Sequence, residues 1–294
     1  MRLTSLGLAL ALFVSLPGLG SAQPVPASVI SDPLPDAKFP ARLEVVHIPT
    51  GGVKINGIAY VAQGAGAHPA FVFFHGLPGN EKNLDLVQAV RRAGWTAVAV
   101  NYRGSWGSPG AYRFANNLED AKAVLAYLRD PANAKALGID PAKIVIGGHS
   151  MGGWVVAHTA SQDHGLLGAV MISAGDMGTI GLGLPRPALV QEMSQDMESL
   201  ADVTPGSMAD ELIKNGSAWT FAKAAPGLSQ TPLFVLTSDD GLADQSDALS
   251  KAIKDGGGKQ IKTLHVATDH SWSDHRIALQ AAVVTWLDSL IAKP

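Results

Sequence analysis

Apolar positions along this chain recur with two periods, and the alternation between them sets the expected elements. "LEVVHI" and "VKINGIAYVA" alternate apolar and polar residues on either side of Gly51-Gly52, which predicts an antiparallel pair of strands joined by a tight turn. "AFVFFHG", "WTAVAVNYRG", "KIVIGG", "LLGAVMISAG", "PLFVLTS" and "KTLHVA" are short, nearly continuous apolar runs. Runs of that kind predict strands covered on both faces. Between them lie stretches of helical spacing at 84–92, 118–128, 154–159, 247–254 and 274–290. In the second of these, Leu118, Ala121, Leu125 and Leu128 fall in step with a helical repeat. Strands alternating with helices in this way predict an α/β fold, a mostly parallel central sheet with helices on both faces. The alternation breaks once, at about 176–230, where no clear strand appears and where Met177, Met193, Met197 and Met208 fall. That interval reads as a helical cap insertion over the sheet, its methionines forming an adaptable apolar surface or filling core.

The N-terminus carries a different pattern. Arg2 precedes an apolar stretch at 6–16, Pro17-Gly18 interrupts it, and Gly20-Ser21-Ala22 supplies small residues at a cleavage site. This predicts a signal peptide over 1–22 and an exported product, periplasmic or secreted, with no stable membrane anchor after cleavage. An uncleaved anchor is the alternative. Residues 23–41 hold five prolines and read as an extended arm, leaving 42–294 as the folded domain.

Composition narrows the chemistry. The 294 residues include no cysteine, so disulfides and thiolate metal sites are excluded. Only 16% are charged, the formal net charge is -3 and no basic run exceeds two residues, which argues against nucleic acid as a partner. The nine histidines show neither HExxH nor another paired ligand spacing, so no metal site is expected.

"IVIGGHSMGGWVVAHTA" is the most informative stretch. A dinucleotide fingerprint needs glycines at i, i+2 and i+5, and His149 or Ser150 stands at i+2. A P-loop needs Lys after its second glycine, and that fails as well. What fits is Gly148-His149-Ser150-Met151-Gly152, a G-x-S-x-G elbow between a strand and an apolar helix. Small residues two before and two after the serine let neighbouring backbone pass closely. The hydroxyl then projects above the sheet, and the Met151 N–H at the helix start points toward a developing oxyanion.

A serine nucleophile needs a base and a group to orient that base. In an elbow fold they follow in the order acid, then histidine, on loops after later strands. "PLFVLTSDDG" supplies Asp240, with Asp239 as its neighbour and alternative. "KTLHVATDHSWSDH" supplies His270, ahead of His275, expected inside the final helix, and His265, expected inside the strand. Asp176, after "ISAG", is a third candidate acid, whereas Asp269 reads as a surface or helix-entry residue. "FFHGLPGN" is the loop expected to give the second oxyanion donor, the Leu77 N–H, with His75 tying that loop down. In "NYRGSWGSPG", Tyr102, Arg103 and Trp106 could meet substrate or close the loop. "NNLED" reads as a helix start with acids near the positive end of the dipole.

With "HGLPGN", "NYRGSWGSPG", "GGHSMGG", "SDDG" and "DHSWSDHR" in view, the chain resembles the α/β-hydrolase superfamily over roughly 42–292. Within it the sequence looks closest to dienelactone-hydrolase-like and prolyl-oligopeptidase-like branches. It departs from the former's cysteine nucleophile, and no propeller-sized domain precedes the hydrolase region. The resemblance implies a serine hydrolase that forms an acyl-enzyme on small ester substrates with no cofactor. A peptidase acting on short peptides would use the same residues. A non-catalytic binding protein on the same fold is the rival from another class.

Overall fold

The computed structural model describes residues 25–195 and 197–292, so the expected signal peptide lies outside the described residues. The first elements are α1 (Ala27–Ile30), β1 (Arg42–Thr50), β2 (Val53–Val61), β3 (His68–Phe74), α2 (Leu84–Arg92) and β4 (Thr96–Val100). Then follow α3 (Phe114–Arg129), α4 (Pro131–Leu137), β5 (Ile139–His149), α5 (Met151–Ala160) and β6 (Gly168–Ile172). The chain continues through α6 (Met177–Gly183), α7 (Arg186–Glu192), a 3-10 turn at Met197–Ser199, α8 (Pro205–Trp219) and α9 (Phe221–Leu228). It closes with β7 (Leu233–Thr237), α10 (Ala243–Asp255), β8 (Ile261–His265) and α11 (Arg276–Ile291).

The strands form one eight-stranded sheet in the order β1-β2-β4-β3-β5-β6-β7-β8. Only β2 runs against its neighbours, pairing antiparallel with both β1 and β4, and the other pairs are parallel. At the β1–β2 turn Thr50 pairs with Val53, and Gly51 and Gly52 both take positive φ, 52° and 81°. Two successive left-handed positions suit a two-residue hairpin, and glycine takes them without a Cβ clash.

The period-2 pattern sorts strand residues between two cores. Phe71, Phe73, Val145, Val170, Ile172, Phe234 and Leu236 face α2 and α11. Val72, Phe74, Ile144, Ile146, Met171 and Val235 face α3, α5, α9 and α10. Both faces of the sheet are therefore dry, which is why these strands read as continuous apolar runs.

Three expectations change. The Pro-rich arm is not wholly extended, because α1 packs on α2 and α11. There Val29 is buried and the Arg92 guanidinium donates to the Ser28 and Val29 carbonyls, so the arm gains apolar contact and hydrogen bonds. The interval 176–230 is helical, but α9 lies against α5 and α10 as part of the regular helical layer. Only α6–α8 pack chiefly on one another. Met177, Met193 and Met208 are buried in the core, and Met197 packs against it, which makes them filling rather than an adaptable surface. Finally, "NNLED" is not a helix start. α3 begins at Phe114, and Asp120 sits within it with no exposure.

Candidate active site

The elbow forms where β5 ends and α5 begins. Ser150 stands between them at φ 57° and ψ -124°, a conformation that costs a non-glycine residue strain. The glycines around it are needed because backbone crowds their Cα atoms. A Cβ on Gly148 would lie 2.2 Å from the Gly152 carbonyl oxygen, and one on Gly152 would lie 2.1 Å from the Phe74 carbonyl oxygen. On Gly153 a Cβ would meet the Ala174 methyl at 2.4 Å. The G-x-S-x-G spacing therefore records where α5 crosses the end of β3.

The second wall is the loop after β3. A Cβ on Gly76 would come within 2.9 Å of Ser150 Cβ, so this loop runs directly over the serine. His75 fixes it from below: its Nδ1–H donates to the Gly76 carbonyl at 2.7 Å, and the Tyr102 hydroxyl donates to the His75 carbonyl at 3.3 Å. Burial lowers the His75 pKa to about 4, so the ring is neutral. Trp106 adds a bond from its indole N–H to the Pro78 carbonyl, at 2.8 Å.

Gly76, Leu77, Pro78, Gly79, Asn80, Glu81, His149, Ser150, His270 and Ser271 enclose a cavity of about 190 Å³. Leu77 is thus on its wall. Met151 is buried with its Sδ 3.2 Å from Asn117 Nδ2, and its N–H is among the first of α5, which have no acceptor within the helix. Larger cavities occur elsewhere, including one of about 480 Å³ that shares Asn80 and is lined by Trp106 and Glu198. Size alone does not pick out the chemistry here.

His270 follows β8 on a loop, and its Nδ1 lies 2.7 Å from Asp240 Oδ2. The Asp240 side chain is 4% exposed. Burial pushes its pKa up, but the bonds from His270, the Leu242 N–H and Ser238 outweigh that and hold it below the ordinary carboxylate range. The ionised carboxylate only accepts, so the Nδ1 of His270 carries the proton and Nε2 is left as an acceptor. Ser150 and the His270 ring line the same cavity without a direct hydrogen bond between them. Such contacts are often long before substrate binds.

The competing candidates are placed elsewhere. Asp239 accepts from His265 Nε2 at 3.1 Å, a pair on the open surface at the end of β8. His275 is the N-cap of α11 rather than a residue inside it, and its Nδ1 meets Asp274 at 2.8 Å. Asp176 caps α6 through the Gly178 and Thr179 N–H groups and also accepts from the Phe221 N–H at 2.9 Å. Asp269 accepts from the Ser273 N–H at 2.8 Å, a turn role. Arg103 is committed to Asp120 at 2.6 Å and to Glu119, which makes it a brace for the 101–110 loop.

Two supports had no sequence signal. His149 donates from Nε2 to the His270 carbonyl at 2.8 Å, with ring centroids 4.6 Å apart. Burial lowers its pKa to about 4. Trp272 is fully buried and donates from Nε1 to Ser173 Oγ at 2.9 Å, while Ser173 and Ser238 share a bond of 2.7 Å. A chain of side chains therefore runs from the histidine loop to the acid loop.

Comparison with known proteins decides the family. A family model described as "Alpha/beta hydrolase family" matches residues 71–289. The chain belongs to this family. Among relatives, the multifunctional-autoprocessing repeats-in-toxin protein of Vibrio vulnificus is 28% identical over 183 residues, covering 60% of this chain and 3% of that one. The quorum-quenching protein AidA of Acinetobacter baumannii is 31% identical over 132 residues, covering 42% and 41%. The chain spans less than half the length of either. Among solved structures, the carboxylesterase EstE1 from a metagenomic library superposes with a TM-score of 0.65 at 20% identity, covering 91% of this chain and 93% of that one. A puromycin-hydrolyzing peptidase of Mycobacterium tuberculosis gives 0.64 at 19%, covering 87% and 41%. At these identities the superpositions speak for the fold alone.

Proposed function

We propose that the protein is an exported serine hydrolase that cleaves carboxylic esters through an acyl-enzyme. The observation that carries this reading is the buried Asp240 bonded at 2.7 Å to His270, whose ring shares one cavity with a serine at a strained elbow. Ser150 Oγ attacks the carbonyl carbon while its proton passes to His270 Nε2. The negative charge that develops on the carbonyl oxygen is received by the N–H groups of Leu77 and Met151. His270 returns the proton to the departing alcohol, leaving the acyl group on Ser150. Water then attacks that ester, giving its proton to His270, and Ser150 is restored as the acid departs. Asp240 fixes the histidine tautomer and stabilises its cationic form without taking the proton. No cofactor enters this scheme.

Export rests on the pattern at 1–22. The ester preference has the carboxylesterase fold neighbour behind it, and a peptidase acting on short peptides has the peptidase neighbour. Both would use the same groups, so relative turnover of esters and arylamides separates them. The test of the nucleophile is covalent: a fluorophosphonate probe labels the native protein and Ser150→Ala abolishes both labelling and ester turnover. Labelling that persists in the folded variant would remove Ser150 from the mechanism.

A further inference from the structure

The cavity around Ser150 carries an unbalanced charge. Of its ten lining residues, Glu81 is the one ordinarily charged at neutral pH, and neither lysine nor arginine lines it. The Glu81 carboxylate is held by one oxygen, which accepts the Asn83 N–H. It makes no ion pair among the described residues.

The nearby cations are bonded to groups other than Glu81. Lys82, next in sequence, does not line this cavity: its Nζ donates to Asn101 Oδ1 at 3.2 Å and lies 4.1 Å from the Trp106 ring centroid. There it lines a separate apolar pocket. Arg276 donates to both carboxylate oxygens of Asp85 and to the Asn83 side-chain oxygen and the Ser271 carbonyl. The adjoining cavity that shares Asn80 repeats the pattern, with Glu198 on its wall and no cation.

A fixed negative charge on the wall of the nucleophile's cavity opposes the oxyanion that acyl transfer must form. It acts against the reaction with a neutral ester and more strongly with an anionic one, unless the substrate brings a compensating positive charge. We infer that Glu81 is a specificity determinant, and that the site selects esters bearing an ammonium or other cationic group close to the scissile bond. This inference rests on the acyl-transfer reading of Ser150. For opposite charges about 6 Å apart, at a dielectric between those of water and a protein surface, the preference is roughly tenfold.

The test compares acetylthiocholine with its uncharged isostere, 3,3-dimethylbutyl thioacetate, through the ratio of their kcat/KM values. The native protein favours the cationic ester about tenfold, and the ratio falls as salt is raised from about 20 mM to about 0.5 M. Glu81→Gln keeps an oxygen for the Asn83 N–H, removes the charge and brings the ratio close to one. A native ratio near one, or a ratio unchanged in Glu81→Gln, overturns the inference while leaving the serine mechanism intact. Failure of the native protein both to cleave either ester and to react with a fluorophosphonate would overturn the mechanism itself, and the inference with it.

Discussion

Two aspartate–histidine pairs sit side by side at the ends of β7 and β8, built from adjacent acids. Asp239 pairs with His265 at 3.1 Å, with 61% and 53% of the side chains exposed. Asp240 pairs with His270 at 2.7 Å, with 4% and 38% exposed. The residue types are identical, so the difference lies in placement. Asp240 is turned inward, where Ser238 and the Leu242 N–H also hold it, while His270 reaches the cavity of Ser150. An exposed pair is screened by water and gains little from its geometry. A buried acid with several donors keeps its charge and its position, which is what orienting a catalytic imidazole requires.

The largest expected effect separates these pairs directly. His270→Ala should lower ester kcat/KM by roughly 10³-fold or more, and Asp240→Asn by about 10³–10⁴ through loss of the correct tautomer. His265→Ala and Asp239→Asn should each stay within about threefold of the native value, because surface substitutions away from a site rarely propagate. Steady-state kinetics on the four purified variants measures this. A collapse in Asp239→Asn with an active Asp240→Asn would reverse the assignment.

How much of this was legible in the sequence follows from the range of each interaction. The strands and long helices were readable because their periodicity is local, and 84–92 coincides with α2. The elbow was readable because its small residues fall within six positions, although the backbone that crowds them comes from Phe74 and Ala174, far off in sequence. α4 has no counterpart among the helices that periodicity predicts, although its end signals are present, with Asp130 as a side-chain N-cap, Pro131 at the first turn and Gly138 left-handed at the C-cap. The sequence favours Asp240 but leaves Asp239 open, because consecutive residues at a strand end point to opposite sides and only the fold shows which one turns inward. His149 on the His270 carbonyl, Trp272 on Ser173 and Arg103 on Asp120 join residues 121, 99 and 17 positions apart. Such pairings are fixed by the fold, and nothing in the local pattern announces them.

The burial contrast also reaches stability in acid. Two buried histidines brace the surroundings of the inner pair, His149 on the His270 carbonyl and His75 under the loop over Ser150, both with pKa lowered from 6.5 to about 4. The unfolded chain takes up a proton on each near 6.5, whereas the native protein does so only near 4. Stability from their neutral burial is therefore complete above 6.5 and is lost as pH falls toward 4, by about 3 kcal/mol for each histidine. Asp240 acts in the same direction at lower pH, its contribution intact above the ordinary 3.8 and lost as pH falls through its lowered value. Urea unfolding across this range should show the fall, with a shallower slope in His149→Gln. An equal slope in that variant would mean that His149 does not contribute.

The smallest effect concerns how the His270 loop is held. Trp272 carries a positive φ of 59° and anchors that loop through its bond to Ser173, whereas His265 needs no such anchor because it is still within β8. Trp272→Phe removes the indole donor but leaves Ser173 bonded to Ser238, so no buried hydroxyl is orphaned. The cost should be about 1–2 kcal/mol from the lost hydrogen bond and reduced packing. The loop should then hold His270 less firmly over Ser150, lowering kcat by a few-fold while KM changes less. Thermal unfolding and kinetics on one preparation separate the two contributions. Loss of stability with kcat intact would make Trp272 a core residue alone, with the Asp240 bond and the His149 bond to the His270 carbonyl sufficient to place the imidazole.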